Sequence, residues 1–268
     1  MLDIILDEFH FSTLWNGGIF LFTMFAAIIY FFLLPASKKL SWWKSFAFVL
    51  GLIVIFAAIA SPLNVTGRIK FSTHCLQLVL LLLVAPPLLI AGFKTEILER
   101  VKSIRNMGKI ISVLTKPVVA GAIFQVVFYG YHIPSIFNFA RIDLYLNYFF
   151  LLALFLSSVL LWIPILSTDQ LSCSEKRNYS FVNVLLLAPF GLILLFANTE
   201  LYAIYSDINL FMSALALCLP DLTDVPPEFF ASLLPFDPIH EQLLGAIIFF
   251  AGILISFTAA TFLSAKKI

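Results

Sequence analysis

The sequence predicts an all-α integral membrane protein, a bundle of seven transmembrane helices with its N-terminus outside and its C-terminus in the cytoplasm. Three observations predict it. Hydrophobic residues make up 62% of the 268-residue chain and charged residues 12%, about half the charged share of a soluble domain. Seven apolar stretches approach the roughly 20 residues that cross a bilayer. The segments between them alternate between basic and acidic.

The whole chain, residues 1–268, reads as one transmembrane domain, with no second composition that would mark another. The first span is expected over residues 14–34. The acidic start, Met-Leu-Asp-Ile-Ile-Leu-Asp-Glu, lacks the positive region and small-residue cleavage site of a signal peptide, so this span is expected to be retained. The second covers 45–62. The third covers 72–92, and Pro86-Pro87 should kink it. The fourth, 117–131, stops where Pro134 turns Ile133 away from helix. The fifth and sixth cover 144–166 and 180–198, with Pro189 inside the sixth. The seventh covers 242–263. Between the last two lies a segment, about 205–239, whose apolar run is too short to cross. Pro220, Asp221, Asp224, Pro226, Pro227 and Glu228 follow that run, which predicts an interfacial or re-entrant helix and an acidic loop on the outer face.

Orientation follows from charge. Lys38, Lys39, Lys44, Lys94, Arg100, Lys102, Arg105, Lys109, Lys116, Lys176, Arg177, Lys266 and Lys267 fall on one side, 13 of the 16 basic residues. Only Arg68, Lys70 and Arg141 fall on the other. The positive-inside rule makes the first side cytoplasmic, as expected for a multi-pass protein of the cell membrane.

The four histidines then share the outer side. His10 precedes the first span, His74 opens the third, His132 closes the fourth and His240 precedes the seventh. Neutral imidazole is the commonest metal ligand. Two or three imidazoles with a thiolate would suit copper or zinc, and two axial imidazoles would suit haem. His74 and Gln77, three apart, share a helix face, and Cys75 lies about 100° around from His74. His240 is followed by Glu241 and Gln242. The candidate metal ligands are therefore His74, His132, His240, His10 and Cys75, with Gln77, Glu241 and Gln242 placed to orient them. The plainer reading makes each histidine an interfacial polar residue satisfied by water or a carbonyl, and Cys75, Cys173 and Cys218 inert thiols with no C-x-x-C pair.

The remaining polar residues within spans, Gln125, Asn147 and Asn183, suit hydrogen bonding between helices. No ionisable residue other than histidine sits deep in a span, which disfavours a proton pump or ion-coupled transporter. The last span has no lysine for a retinal Schiff base. No P-loop, G-x-S-x-G or H-E-x-x-H motif is present. The surroundings are membrane lipid, and nothing suggests a nucleic-acid partner.

Three ordered stretches, together spanning roughly residues 40–262, resemble the multi-span CtaG family of cytochrome c oxidase assembly factors. Ala60-Ser-Pro-Leu, a short outer loop and Phe71-Ser-Thr-His-Cys-Leu-Gln are similar to the family's S-P-L and F-S-x-H-M-x-Q-H elements. His132-Ile-Pro, with Leu161-Trp-Ile-Pro-Ile ending the fifth span, resembles its H-x-P and F-W-x-P elements. Glu241-Gln-Leu-Leu-Gly resembles its D-Q-x-x-G. The chain departs from the pattern at Leu78 and Asn147, where the family has histidine, and at Glu241, where it has aspartate. The resemblance implies maturation of a haem–copper oxidase, with copper handled near the outer membrane face, chiefly by His74 and His132, and passed to an oxidase subunit. On the residues alone two other classes stay open: a haem- or quinone-binding redox protein with His74 and His132 as ligands, and a small-solute channel or transporter.

Overall fold

The computed structural model describes residues 9–33, 41–94, 103–166, 171–217 and 237–265. Every regular element among these residues is helical. Helix α1 (Phe11–Leu14) is a single turn. Helix α2 (Gly17–Ile28) is capped by the Asn16 side chain, which accepts from the Ile19 N–H at 3.0 Å, and it runs into a π-helical turn at Ile29–Leu33. Helices α3 (Trp42–Ala60) and α4 (Pro62–Ile69) follow. Helix α5 (Phe71–Leu78), a π-helical stretch at Val79–Val84 and α6 (Ala85–Gly92) make one rod, the third rod, where the third span is expected. Then come α7 (Arg105–Leu114), α8 (Pro117–Tyr131), α9 (Pro134–Ile142), α10 (Leu144–Leu166) and α11 (Cys173–Phe196). A 3₁₀ turn (Ala203–Tyr205), α12 (Ile208–Ala216) and α13 (Pro238–Ala265) complete the described chain. Proline opens α4, α8 and α9, where its missing N–H costs nothing. Ser172 and Glu175 close a capping box at the start of α11.

Among the described residues, five helices are long and apolar enough to cross a membrane: Trp42–Ala60, Phe71–Gly92, Leu144–Leu166, Cys173–Phe196 and Pro238–Leu263. A sixth is added if α7 and α8, bent by 71° to each other, count as one crossing. The helix over Gly17–Phe32 is apolar but shorter. The difference from seven lies at the first and fourth expected spans. The first is interrupted at Trp15-Asn16, and the fourth is bounded by Pro117 and Pro134. Phe22, Phe149, Phe196 and Phe262 stand exposed on the outside of these helices, as a lipid-facing surface requires.

Chain connectivity defines two ends. At one, the Asn16 N–H donates to the Ala60 carbonyl at 3.1 Å, and the Asn16 amide donates to the Tyr148 hydroxyl at 3.2 Å. His74 and His132 are at this end. At the other, the Tyr30 hydroxyl donates to the Gly92 carbonyl at 2.8 Å, and Lys94 donates to the Tyr30 carbonyl, its ammonium 4.7 Å from the Tyr30 ring. The histidine end is closed by helices where the sequence suggested loops. Helix α4 buries Val65 and Ile69, and α9 buries Phe137 and Ala140. Helix α12, within the 205–239 segment, lies against both and buries Phe211, Ala214 and Leu215. Residues 218–236, with Cys218, Asp221, Asp224 and Glu228, lie outside the described residues.

The prolines inside spans explain how the rods are tied together. Pro86 cannot donate to the Leu82 carbonyl in an α-helix, and Pro87 cannot donate to it in a π-helix. The stretch Val79–Val84 is π-helical, with the Ala85 N–H bonded to the Leu80 carbonyl. The stranded Leu82 carbonyl accepts instead from the Ser158 hydroxyl and from the Trp162 indole N–H, the latter at 2.8 Å. Beside the other prolines, tyrosines tie helices together at the carbonyl one residue past the one each proline strands. The Tyr129 hydroxyl donates to the Leu186 carbonyl at 2.6 Å, near Pro189, and the Tyr179 hydroxyl to the Leu161 carbonyl at 3.2 Å, near Pro164.

Glycines let the rods approach. A Cβ on Gly92 would fall 2.5 Å from the Phe48 nitrogen and 2.6 Å from the Lys44 carbonyl oxygen, so α6 meets the backbone of α3. Gly245 and Gly252, seven apart on one face of α13, bring that helix onto the third rod. A Cβ on Gly245 would lie 2.8 Å from the Cys75 sulfur, and one on Gly252 would lie 2.6 Å from Val79. Replacing Gly92 by Ala should therefore lower stability by about 1–3 kcal/mol, since backbone must move to admit the methyl. Gly130→Ala, where a Cβ meets nothing within 4 Å, should be neutral or mildly stabilising. Thermal unfolding of the two variants in one detergent checks the contrast.

Candidate functional site

His74 sits in the first turn of α5 and is fully buried. Its Nδ1 lies 3.2 Å from the Gln77 Oε1, one turn on. The Gln77 amide nitrogen donates to the Ala58 carbonyl and to the Asn64 side-chain oxygen, each at 2.9 Å. With both acceptors facing that nitrogen, the Gln77 oxygen must accept, so His74 carries its proton on Nδ1. Its Nε2 lone pair is left bare, buried and without a hydrogen-bond partner among the described residues.

His132 reaches the same state by another route. Pro134 ends α8 at Tyr131, and His132 becomes the capping residue. Its Nδ1 lies 2.7 Å from the Phe128 carbonyl, a pure acceptor, so the proton is again on Nδ1. Its Nε2 is likewise buried and without a hydrogen-bond partner among the described residues. The Tyr202 hydroxyl donates to the His132 carbonyl at 3.1 Å and holds the cap in place.

The two imidazoles share aromatic neighbours. The Phe137 ring centroid is 5.2 Å from that of His74 and 6.2 Å from that of His132, and Tyr131 is 6.0 and 5.0 Å from the two. Phe128 and Phe190 lie beneath His132, each 4.3 Å away. The arrangement presents two neutral nitrogen donors, each fixed in tautomer and orientation, within an aromatic enclosure.

Two further residues escaped the sequence reading. Arg68 and Arg141, taken there only as sparse outer charges, are buried to 1% and 0% exposure. The Arg68 guanidinium donates to the Arg141 carbonyl at 3.0 Å. Arg141 donates to the Gly67 carbonyl, approaches the Asn147 side-chain oxygen at 3.5 Å and lies 5.9 Å from the Phe137 ring. The Tyr205 hydroxyl donates to the same Gly67 carbonyl at 2.9 Å. Burial pushes the phenols of Tyr202 and Tyr205 up, so both stay neutral donors. A signal was present in the sequence. Pro62 and Pro134 each open a short amphipathic stretch ending in Arg-Ile, two residues before a span, at Arg68-Ile69 and Arg141-Ile142. Two such stretches in register predict a pair of capping helices with inward arginines.

The other candidates occupy different places. Cys75 is buried, and its sulfur, like the Phe71 ring, lies against Gly245 of α13. Glu241 accepts from the Ser72 hydroxyl and pairs with Lys70 at 3.3 Å. The Gln242 oxygen accepts from the Leu201 N–H at 2.6 Å, and its nitrogen donates to the Thr199 carbonyl at 3.2 Å. Glu241, Gln242 and Gly245 thus fasten α13 to the third rod and to the 196–202 turn. His10 and His240 are exposed. Among the described residues, no three His, Cys, Asp or Glu side chains gather as a ligand set for a metal.

A family model described as cytochrome c oxidase caa3 assembly factor (Caa3_CtaG) matches residues 20–266. No curated protein and no solved structure matches the chain.

The Gly67 carbonyl is the point on which the cap converges, which makes two substitutions informative. Tyr205→Phe removes one neutral donor to it and should cost about 1 kcal/mol. Arg141→Lys keeps the charge but loses the planar fork that reaches Gly67 and Asn147 together, and should cost about 2–3 kcal/mol. The order of the two thermal midpoints in detergent checks this.

Proposed function

Because the chain belongs to the family of cytochrome c oxidase caa3 assembly factors, we propose that it takes copper as cargo on the Nε2 atoms of His74 and His132 and passes it to an oxidase subunit docked at that end. One observation carries the proposal. Both imidazoles have Nδ1 committed to an oxygen acceptor and Nε2 bare, which is the state a metal-binding histidine needs.

The residues present fit the ion. Imidazole nitrogen suits copper, and a pair of neutral donors in an aromatic enclosure suits the cuprous ion, which accepts few ligands. The buried Arg141, which shares Phe137 with His74, opposes a higher charge. In this reading Gln77 and the Phe128 carbonyl orient the ligands, while Tyr131 and Phe137 keep water out. Glu241 and Gln242 act at one remove, by holding α13 against the third rod. The protein is a carrier and docking partner and catalyses no reaction.

The same proposal sets the topology. The apolar helices Gly17–Phe32 and Pro117–Tyr131 count as crossings, which gives seven. The histidine end then faces outward and the end with most basic residues faces the cytoplasm of a multi-pass cell-membrane protein. A reporter fused at Ile268 should be active only if it is a cytoplasmic one. Activity of an exported-type reporter there would overturn the orientation.

Copper transfer has its own test. His74→Ala and His132→Ala should each abolish oxidase maturation while the protein stays in the membrane. Gln77→Ala should weaken copper binding to the purified protein about 10- to 100-fold. Normal oxidase levels in both histidine variants would sink the copper reading. A Soret band in the purified protein would replace it with a haem-binding one.

A further inference from the structure

We infer that α7 lies flat in the headgroup layer at the end of the bundle opposite the histidines and binds anionic phospholipid through a basic edge. Nothing in the copper reading requires this, and it stands or falls separately.

The helix is amphipathic by register. Met107, Ile110, Ile111 and Leu114 recur at intervals of three, one and three, which places them on one face at 100° per residue. Positions 105 and 109, one turn apart, fall on the opposite face, and Lys116 follows at the corner before α8. From 103 to 116 the sequence has three basic residues and no acidic one. Ile111 and Leu114 are half-buried, and the other half of the apolar face stays open. Met107 is 50% exposed and Ile110 is 58% exposed, and Lys109 and Lys116 are also exposed. A helix with an apolar face in the open and a cationic face beside it is the form that settles at a membrane boundary.

Its angle and level fit the same place. The bend of 71° means that the nine residues from Asn106 to Leu114 add only about 4 Å along the α8 axis, at 1.5 Å rise per residue, so they do not extend that crossing. Two residues separate α7 from α8, which fixes its depth at the end where α8 begins. The exposed Trp42 and Trp43, 4.7 Å apart at the start of α3, stand at this end too. Paired tryptophans at a helix start mark the headgroup level. A zwitterionic surface would reward only the apolar face. Among the described residues neither Lys109 nor Lys116 has an acidic partner, and such lysines favour an anionic one. Because α8 carries His132 at its far end, the seating of α7 also sets how deep that residue sits.

The test uses the full chain in nanodiscs of phosphatidylcholine alone or mixed with phosphatidylglycerol. A polarity-sensitive fluorophore is placed at Ile110→Cys in a background lacking the exposed Cys173. Its emission should report an apolar setting in both lipids. Native protein should retain phosphatidylglycerol over phosphatidylcholine during purification, and Lys109→Glu with Lys116→Glu should remove that preference, by at least about fivefold for each reversal. Added salt should weaken it. A water-like signal at position 110 in both lipids would overturn the inference, as would a lipid preference untouched by the charge reversals. A probe that becomes buried only when oxidase is added would overturn it in favour of a protein-docking face.

Discussion

A polar group buried in a bundle wrapped by lipid has no water to turn to, so it must find its partner on a neighbouring helix. Much of this structure follows from that constraint. Pro86 and Pro87 deprive the Leu82 carbonyl of both helical donors, and Ser158 and Trp162 supply replacements from α10. That single carbonyl therefore joins the third and fifth expected spans, and it gives the Leu161-Trp-Ile-Pro stretch a physical purpose. Gln77 does the same between α5, α3 and α4, with one amide serving Ala58, Asn64 and His74. The carbonyl of Gly67 gathers Arg141 from α9 and Tyr205 from the 3₁₀ turn.

Glycine and charge complete what these bonds begin. Gly92, Gly245 and Gly252 remove side-chain bulk where rods cross, and dispersion contacts then accumulate over close surfaces. Glu241 and Gln242 anchor the start of α13 to Ser72, Lys70, Thr199 and Leu201. The Glu-Gln-x-x-Gly stretch is thus a fastening in which each named residue has its own partner. Cys75, pressed against Gly245, belongs to that fastening.

The imidazole pair depends on the same network. A histidine that both donates from one nitrogen and keeps the other bare needs an acceptor that will not rotate away. For His74 the acceptor is Gln77, pinned by two other bonds. For His132 it is a backbone carbonyl of the preceding turn, presented because Pro134 ends the helix there. The cap of α4, α9 and α12 covers this end. The arginines buried in it place two positive charges behind the imidazoles' aromatic neighbours.

Hydropathy and charge pattern are local properties, and they made the membrane class, most of the long helices and the proline interruptions legible from the chain alone. The same local reading drew attention to His74, His132 and the Glu241-Gln242 pair. Loop assignment failed at 62–69 and 134–142, because short amphipathic helices lack the apolar length that marks a span, and their helicity comes from packing on one another. The inward turn of Arg68 and Arg141, the packing of Cys75 against Gly245 and the exposure of His10 and His240 were decided by tertiary structure. Sequence spacing fixes which residues share a helix face, whereas only the packing of helices decides whether that face meets lipid, water or another polar group.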